Sequence, residues 1–179
     1  MSQPSATKVV TGKVRLSYVN VFEPRAAQPG QEAKYSLCVL IPKSDKATLE
    51  KIAKAVEAAK EAGKAQWGGK VPAGLKTPLR DGDTERDSAE YKGHYFINCN
   101  SKQKPGVVDA AVNPIMDQSE MYSGCYGRVS INFYGYNQNG NRGVGAGLQN
   151  VQKLADGEPL SGRSRAEDDF TAAEEDFLS

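Results

Sequence analysis

CYGRVSINFYGY, residues 125–136, decides how this chain is read. Gly127, Val129, Ile131 and Phe133 fall on one side of a two-residue repeat. Tyr126, Arg128, Ser130, Asn132, Tyr134 and Tyr136 fall on the other. Such a repeat is the signature of a β-strand with one face in a core. The second face offers rings, a guanidinium and small hydrogen-bonding groups, which suits a solvated working surface. Asn137–Asn141, NQNGN, has hairpin-turn composition, and RGVGAGLQNVQ, Arg142–Gln152, reads as the returning strand.

Upstream, Lys8–Phe22 reads as one strand, with Val14, Leu16 and Tyr18 alternating against Lys13, Arg15 and Ser17. The Pro- and Gly-punctuated stretch 23–32 is a loop. Lys34–Ile41 is a second strand with Tyr35, Leu37, Val39 and Ile41 on one face, closed by Pro42. A helix follows, capped by Ser44 or Asp45 and ended by Gly63. Leu49, Ile52, Ala53, Val56 and Ala59 form its apolar stripe. Trp67 lies in a glycine-rich loop, and residues 76–92 are strongly charged, as expected of a mobile connection. HYFINCNS, residues 94–101, is a further strand; KQKPG is a turn, VVD a short strand, and 113–121 an irregular loop. About six strands, one helix and long loops predict a mainly β barrel or sandwich with an inserted helix.

Charge divides the chain unevenly. The whole chain has 23 basic and 22 acidic residues, yet Glu167, Asp168, Asp169, Glu174, Glu175 and Asp176 crowd the last thirteen positions beside Phe170 and Phe177. Without those six carboxylates the body keeps 23 basic against 16 acidic residues, about +7. A basic body joined to an acidic, aromatic-anchored tail suits a polyanion ligand and a basic, partly apolar partner pocket. The expected division is a domain at 1–155, then a flexible linker and acidic tail at 156–179. No apolar run reaches membrane-spanning length, and MSQPSATKVV lacks the apolar core of a secretory signal. Cys38, Cys99 and Cys125 lack metal-ligand spacing and read as buried thiols of a reducing compartment. No cofactor or metal is implied, and His94 has no identifiable catalytic partner.

Single-stranded nucleic acid is held by bases stacking on exposed rings while Lys and Arg follow the phosphates, at roughly 1–3 kcal/mol per stack. The stacking candidates are Tyr126, Tyr134 and Tyr136, with Tyr95 and Trp67 beside them. Arg128, Arg15, Lys92, Lys102 and Lys104 are the phosphate candidates. Glycines 140, 143, 145 and 147 do not form a dinucleotide fingerprint, because LQNVQ after them reads as strand. A flat glycine-rich strand instead suits close approach by a backbone or a DNA strand. Two other classes compete. Asp81, Asp83, Glu90 and Lys92 bear a loose likeness to the carboxylate–lysine sets of magnesium-dependent nucleases, and an adaptor protein that binds no DNA would use the tail alone.

PLRDGD, YKGHYFINCNS, KPGVVD and YGRVSINFYGY…GVGAGLQNVQ, in this order over residues 8–155, resemble a family of phage-encoded single-stranded DNA-binding proteins. The resemblance implies an OB-type barrel and a non-enzymatic role coating single-stranded DNA in phage replication, recombination or repair. It also implies a tail, here Glu167, Asp168, Asp169, Phe170, Glu174, Glu175, Asp176 and Phe177, that recruits phage or host replication proteins or occupies the DNA groove. The setting would be the cytoplasm of an infected bacterium, and a homodimer is among the expected states. The helix as read follows the second strand, whereas OB barrels usually carry it between the third and fourth.

Overall fold

The computed structural model describes residues 6–26, 28–138 and 140–160; the acidic tail lies outside them. In chain order the strands are β1 (Lys8–Val10), β2 (Val14–Arg25), β3 (Lys34–Pro42), β4 (Arg80–Asp81), β5 (His94–Ser101), β6 (Gly106–Val108), β7 (Tyr126–Gln138) and β8 (Asn141–Ala155). Helix α1 (Lys46–Ala62) lies between β3 and β4, and the single turn α2 (Gly82–Glu85) follows β4.

Five strands close on themselves: β7 pairs with β2, β2 with β3, β3 with β5, β5 with β8, and β8 with β7. This is the five-stranded barrel of the OB type, with β1, β4 and β6 added at its margins. All pairings in the circuit are antiparallel except β5–β8, which meet in parallel through one register pair, Asn100 with Gly147. Inside sit Leu16, Leu37, Val39, Ile41, Ile97, Val129, Ile131, Phe133 and Leu148, all essentially excluded from water. Burying a side chain such as Phe133 contributes about 1.5–3 kcal/mol.

The alternation read in 125–136 is observed, with Gly127, Val129, Ile131 and Phe133 inward. The helix is capped at Asp45, whose Oδ1 accepts from the Thr48 amide at 3.2 Å, and it ends at Gly63. Four expectations are corrected. Lys8–Phe22 is two strands, because the chain turns at Thr11–Lys13, where the Gly12 amide donates to the Thr48 hydroxyl at 2.9 Å; α1 therefore follows the third strand. In α1 the buried stripe uses Ala55, while Ala53 faces solvent, since 52, 55, 56 and 59 share one helical face. A bulge between Ser17 and Asn20 takes Tyr18 out of the inward series, and Val19 packs on the core instead.

The charged stretch 76–92 is the fourth, folded onto the barrel rather than mobile. Asp81 caps α2 by accepting from the Asp83 amide at 2.9 Å. Lys43 Nζ lies 2.7 Å from a carboxylate oxygen of each of Asp81 and Asp83. Tyr91 is buried with Cys38, Leu40 and Phe96 in a small apolar cluster on the outside of the barrel. β8 ends at Ala155, the expected edge of the domain, but the next residues dock on the barrel. Arg15 donates to the Glu158 carbonyl at 2.6 Å, the Leu160 amide donates to the Ser123 carbonyl at 2.8 Å, and Leu160 covers the outer cluster.

Candidate nucleic-acid interface

The outward residues of the barrel strands line up across the sheet because directly paired residues share a face. Asn20 pairs with Ser36, Ser36 with Asn100, Asn100 with Gly147, and Gly147 with Asn132. Five neighbouring strands thus lay down a floor, to which Asn20, Ser36, Asn100 and Asn132 bring small amide and hydroxyl side chains. One step along β7 and β8, Tyr134 pairs with Gly145 and Tyr136 with Gly143.

The glycines of β8 are explained by those rings. A Cβ on Gly145 would lie 2.7 Å from Tyr134 Cζ, and one on Gly143 would lie 2.7 Å from the Tyr136 hydroxyl. Each ring therefore lies down on the backbone of its neighbour, so its far side is turned to solvent. Tyr134 is 43% exposed. Its remaining burial, with Tyr136 alongside, pushes its phenol pKa upward, so the ring is neutral at physiological pH.

Two shallow polar clefts flank the end of β5. One, of about 600 Å³, is lined by Arg25, Lys34, Ser36, Asn100, Lys102 and Gln138, among others. The other, of about 540 Å³, is lined by Lys104, Asn132, Gly147 and Asn150 with their neighbours. Arg25 and Lys34 stand directly opposite each other in the β2–β3 ladder. Like charges so placed repel, and an anion lying between them relieves the repulsion. Lys102 is held 3.3 Å from Glu32, and Lys104 sits 5.8 Å above the Phe22 ring.

The expected site residues therefore divide. Tyr134, Tyr136, Lys102 and Lys104 gather around the clefts. Tyr126 is eight residues back along β7, about 27 Å at strand rise, with Lys13 and Arg15 at 5.0 and 5.6 Å from its ring. Arg15 is tied to the carbonyls of Gly124 and Glu158, and Arg128 donates to the Thr11 carbonyl at 3.0 Å while keeping an exposed face. Lys92 and Tyr95 sit at the opposite end of β5 from Lys102, and Tyr95 pairs with the core residue Ile41 under Lys43.

Trp67 does not serve as an open platform. It is only 7% exposed, lies against Gly63 and Gly135, and donates from Nε1 to the Tyr136 carbonyl at 2.9 Å. It braces the strand that carries the tyrosines. Arg25, Lys34 and Asn100 are the additions that sequence reasoning missed, while Asn132 is one of the small hydrogen-bonding groups it placed on the working face. The available signal was the other half of the alternation in β3, where Lys34 and Ser36 oppose Leu37 and Val39.

The nuclease arrangement is not assembled. Asp81 and Asp83 both hold Lys43, which keeps their carboxyl pKa values below the ordinary range. Asp83 also accepts from the Gly93 amide at 3.0 Å. Among the described residues no group of three or more His, Cys, Asp or Glu side chains is placed to hold a metal ion. The three cysteines are free and buried, and burial pushes the Cys38 thiol up to about 11. No helix among the described residues is long and apolar enough to cross a membrane.

Comparison with known proteins agrees with this architecture. Residues 7–178 match the family model of the Enterobacter phage Enc34 ssDNA-binding protein. Putative protein p50 of Acyrthosiphon pisum secondary endosymbiont phage 1 is 32% identical over 185 residues, covering 96% of this chain and 98% of the relative. The bacteriophage Enc34 single-stranded DNA-binding protein, solved in complex with ssDNA, has the same fold. It superposes with a TM-score of 0.78 at 24% identity, over 89% of this chain and 97% of that one. The bacteriophage T7 single-stranded DNA-binding protein gp2.5 gives a TM-score of 0.62 at 16% identity, over 94% and 95% of the two chains. The chain belongs to the family of the single-stranded DNA-binding protein of Enterobacter phage Enc34.

Proposed function

We propose that this protein binds single-stranded DNA with little sequence preference, along the outer barrel face from Tyr134 and Tyr136 across the Asn132–Asn100–Ser36 floor. The observation that carries the reading is the pairing of Tyr134 with Gly145 and Tyr136 with Gly143 beside two basic-edged clefts. Rings laid on glycine present flat faces that any base can stack upon, at roughly 1–3 kcal/mol each. Lys102, Lys104, Arg25 and Lys34 neutralise phosphates along the path. Arg128, Tyr126 and Arg15 extend it along β7 and the start of β2, and Lys92 is its most distant member. No chemistry on the nucleic acid is required of this surface.

The biological setting we infer is phage DNA replication, recombination or repair in the host cytoplasm. The tail, through Phe170, Phe177 and the six carboxylates around them, recruits replication proteins and competes with DNA for the basic face. The test is anisotropy of a labelled oligo-dT of about 30 nucleotides in EDTA and then in magnesium, across a salt series. The expected result is binding in EDTA whose log Kd varies with log salt at a slope near 0.7 per neutralised phosphate, with the oligonucleotide intact in magnesium. Absence of binding at low salt overturns the reading in favour of an adaptor, and magnesium-dependent shortening would revive the nuclease.

A further inference from the structure

Tyr18 is unlike any other aromatic residue in the barrel. It occupies the β2 bulge with φ at +48°, a left-handed backbone that bulky side chains rarely adopt. The residue is 66% exposed, although Val19 next to it packs on the core. The bulge is secured from the binding face: Asn20 Nδ2 donates to the Tyr18 carbonyl at 3.1 Å and to the Ser36 hydroxyl at 3.3 Å. Strain held in place by well-made hydrogen bonds, and used to turn a ring toward water, points to a ligand for that ring.

Arg86 lies in the same neighbourhood. Its guanidinium sits 4.8 Å above the Phe96 ring and 5.8 Å from the Tyr91 ring. Ser17, next to Tyr18, pairs with Cys38, which packs with Tyr91 and Phe96 beneath that guanidinium, and burial pushes the Tyr91 phenol pKa up to about 12. Among the described residues Arg86 forms no ion pair; it donates to the Glu85 carbonyl at 3.0 Å. A ring and an unneutralised guanidinium thus border Tyr91 on β2's side of the outer face. Followed through β8, β5 and β3, the Asn100–Ser36–Asn20 floor runs from the strands that carry Tyr134 and Gly145 to the Tyr18 bulge.

We propose that Tyr18 and Arg86 form a second base-and-phosphate contact for single-stranded DNA, reached from Tyr134 across the Asn100–Ser36–Asn20 floor. The path then crosses the strands, entering on the Tyr134–Gly145 pair and leaving over the Tyr18 ring. This rests on the single-strand reading of the face.

The experiment compares the full chain with Tyr18→Phe, Tyr18→Ala, Tyr18→Gly, Arg86→Gln and Tyr134→Ala, using labelled oligo-dT in EDTA and thermal unfolding without DNA. Tyr18→Ala and Tyr18→Gly are expected to weaken Kd about tenfold, within the range for one stack, while Tyr18→Phe stays within about twofold. Tyr18→Gly is expected to hold or raise Tm, because glycine accepts the left-handed backbone freely. Arg86→Gln is expected to lower the salt slope by about 0.7. Undiminished affinity in Tyr18→Gly, with Tyr134→Ala weakened, overturns this proposal alone. A lower Tm in Tyr18→Gly assigns the residue to the fold and overturns it as well. If the wild-type chain itself fails to bind, the reading of the whole face falls and takes this proposal with it.

Discussion

Tyr134 lies so closely over Gly145 that a Cβ there would come within 2.7 Å of its Cζ. The two residues are one unit, a ring and the seat made for it. Gly145→Ala is therefore expected to lift the ring and weaken oligo-dT binding by several-fold, with the barrel intact by circular dichroism. Tyr134→Ala removes the ring itself and is expected to cost about 1–3 kcal/mol of binding. Equal affinity of both variants with wild type would show that no base stacks there.

Trp67 is the only tryptophan in the chain, and its Nε1 donates to the carbonyl of Tyr136. Its fluorescence should therefore report unfolding with little solvent contribution in the native state. Trp67→Phe removes the donor and leaves a gap beside Gly135, with an expected loss of roughly 1–3 kcal/mol in urea unfolding. A stability unchanged within error would mean that the loop bearing Trp67 does not brace β7.

The clasp of Lys43 with Asp81 and Asp83 gives a pH dependence with a fixed sign. Lys43 lowers both carboxyl pKa values, so their contribution is present above the ordinary carboxylate value of about 3.9 and lost as pH falls through the depressed values. Lys43, whose own pKa is raised first by its hydrogen bonds to these two acids, loses its contribution only in strong alkali, above about 10.4. Lys43→Met is expected to flatten the fall of Tm below about pH 5. An acid limb as steep as that of wild type would place the acid sensitivity elsewhere.

Removing residues 167–179 takes away six carboxylates and leaves a body of about +7. The truncated chain is expected to bind oligo-dT more tightly than the full chain at low salt, with the difference vanishing as screening rises. Equal affinity at all salt concentrations would leave the tail with partner recruitment alone.

Much of the barrel was legible because its strands repeat with period two and its helix carries its own stop signals. Phe133, Ile131 and Val129 announce an inward face without help from the rest of the chain, and Asp45 and Gly63 bound α1. What escaped depends on distant partners. The stretch 76–92 looks solvated until Lys43, far upstream, is set between Asp81 and Asp83. The Tyr18 bulge has no local mark, since its cause is the register of β2 against β3. The floor of the candidate interface takes one small polar residue from each of several strands, and no single segment displays it. Trp67 was misread because a glycine-rich neighbourhood says nothing of a carbonyl waiting at Tyr136.

The lone parallel rung between Asn100 and Gly147 gives the closed circuit a weak seam, and that seam runs through the middle of the candidate interface. A polymer lying across it would act as an external suture, joining β5 to β8 from outside where the backbone does so only once. Occupancy and closure of the barrel then become one equilibrium. Slow hydrogen exchange at the seam would be a property of the coated state more than of the bare protein, and Tm would rise with oligonucleotide concentration.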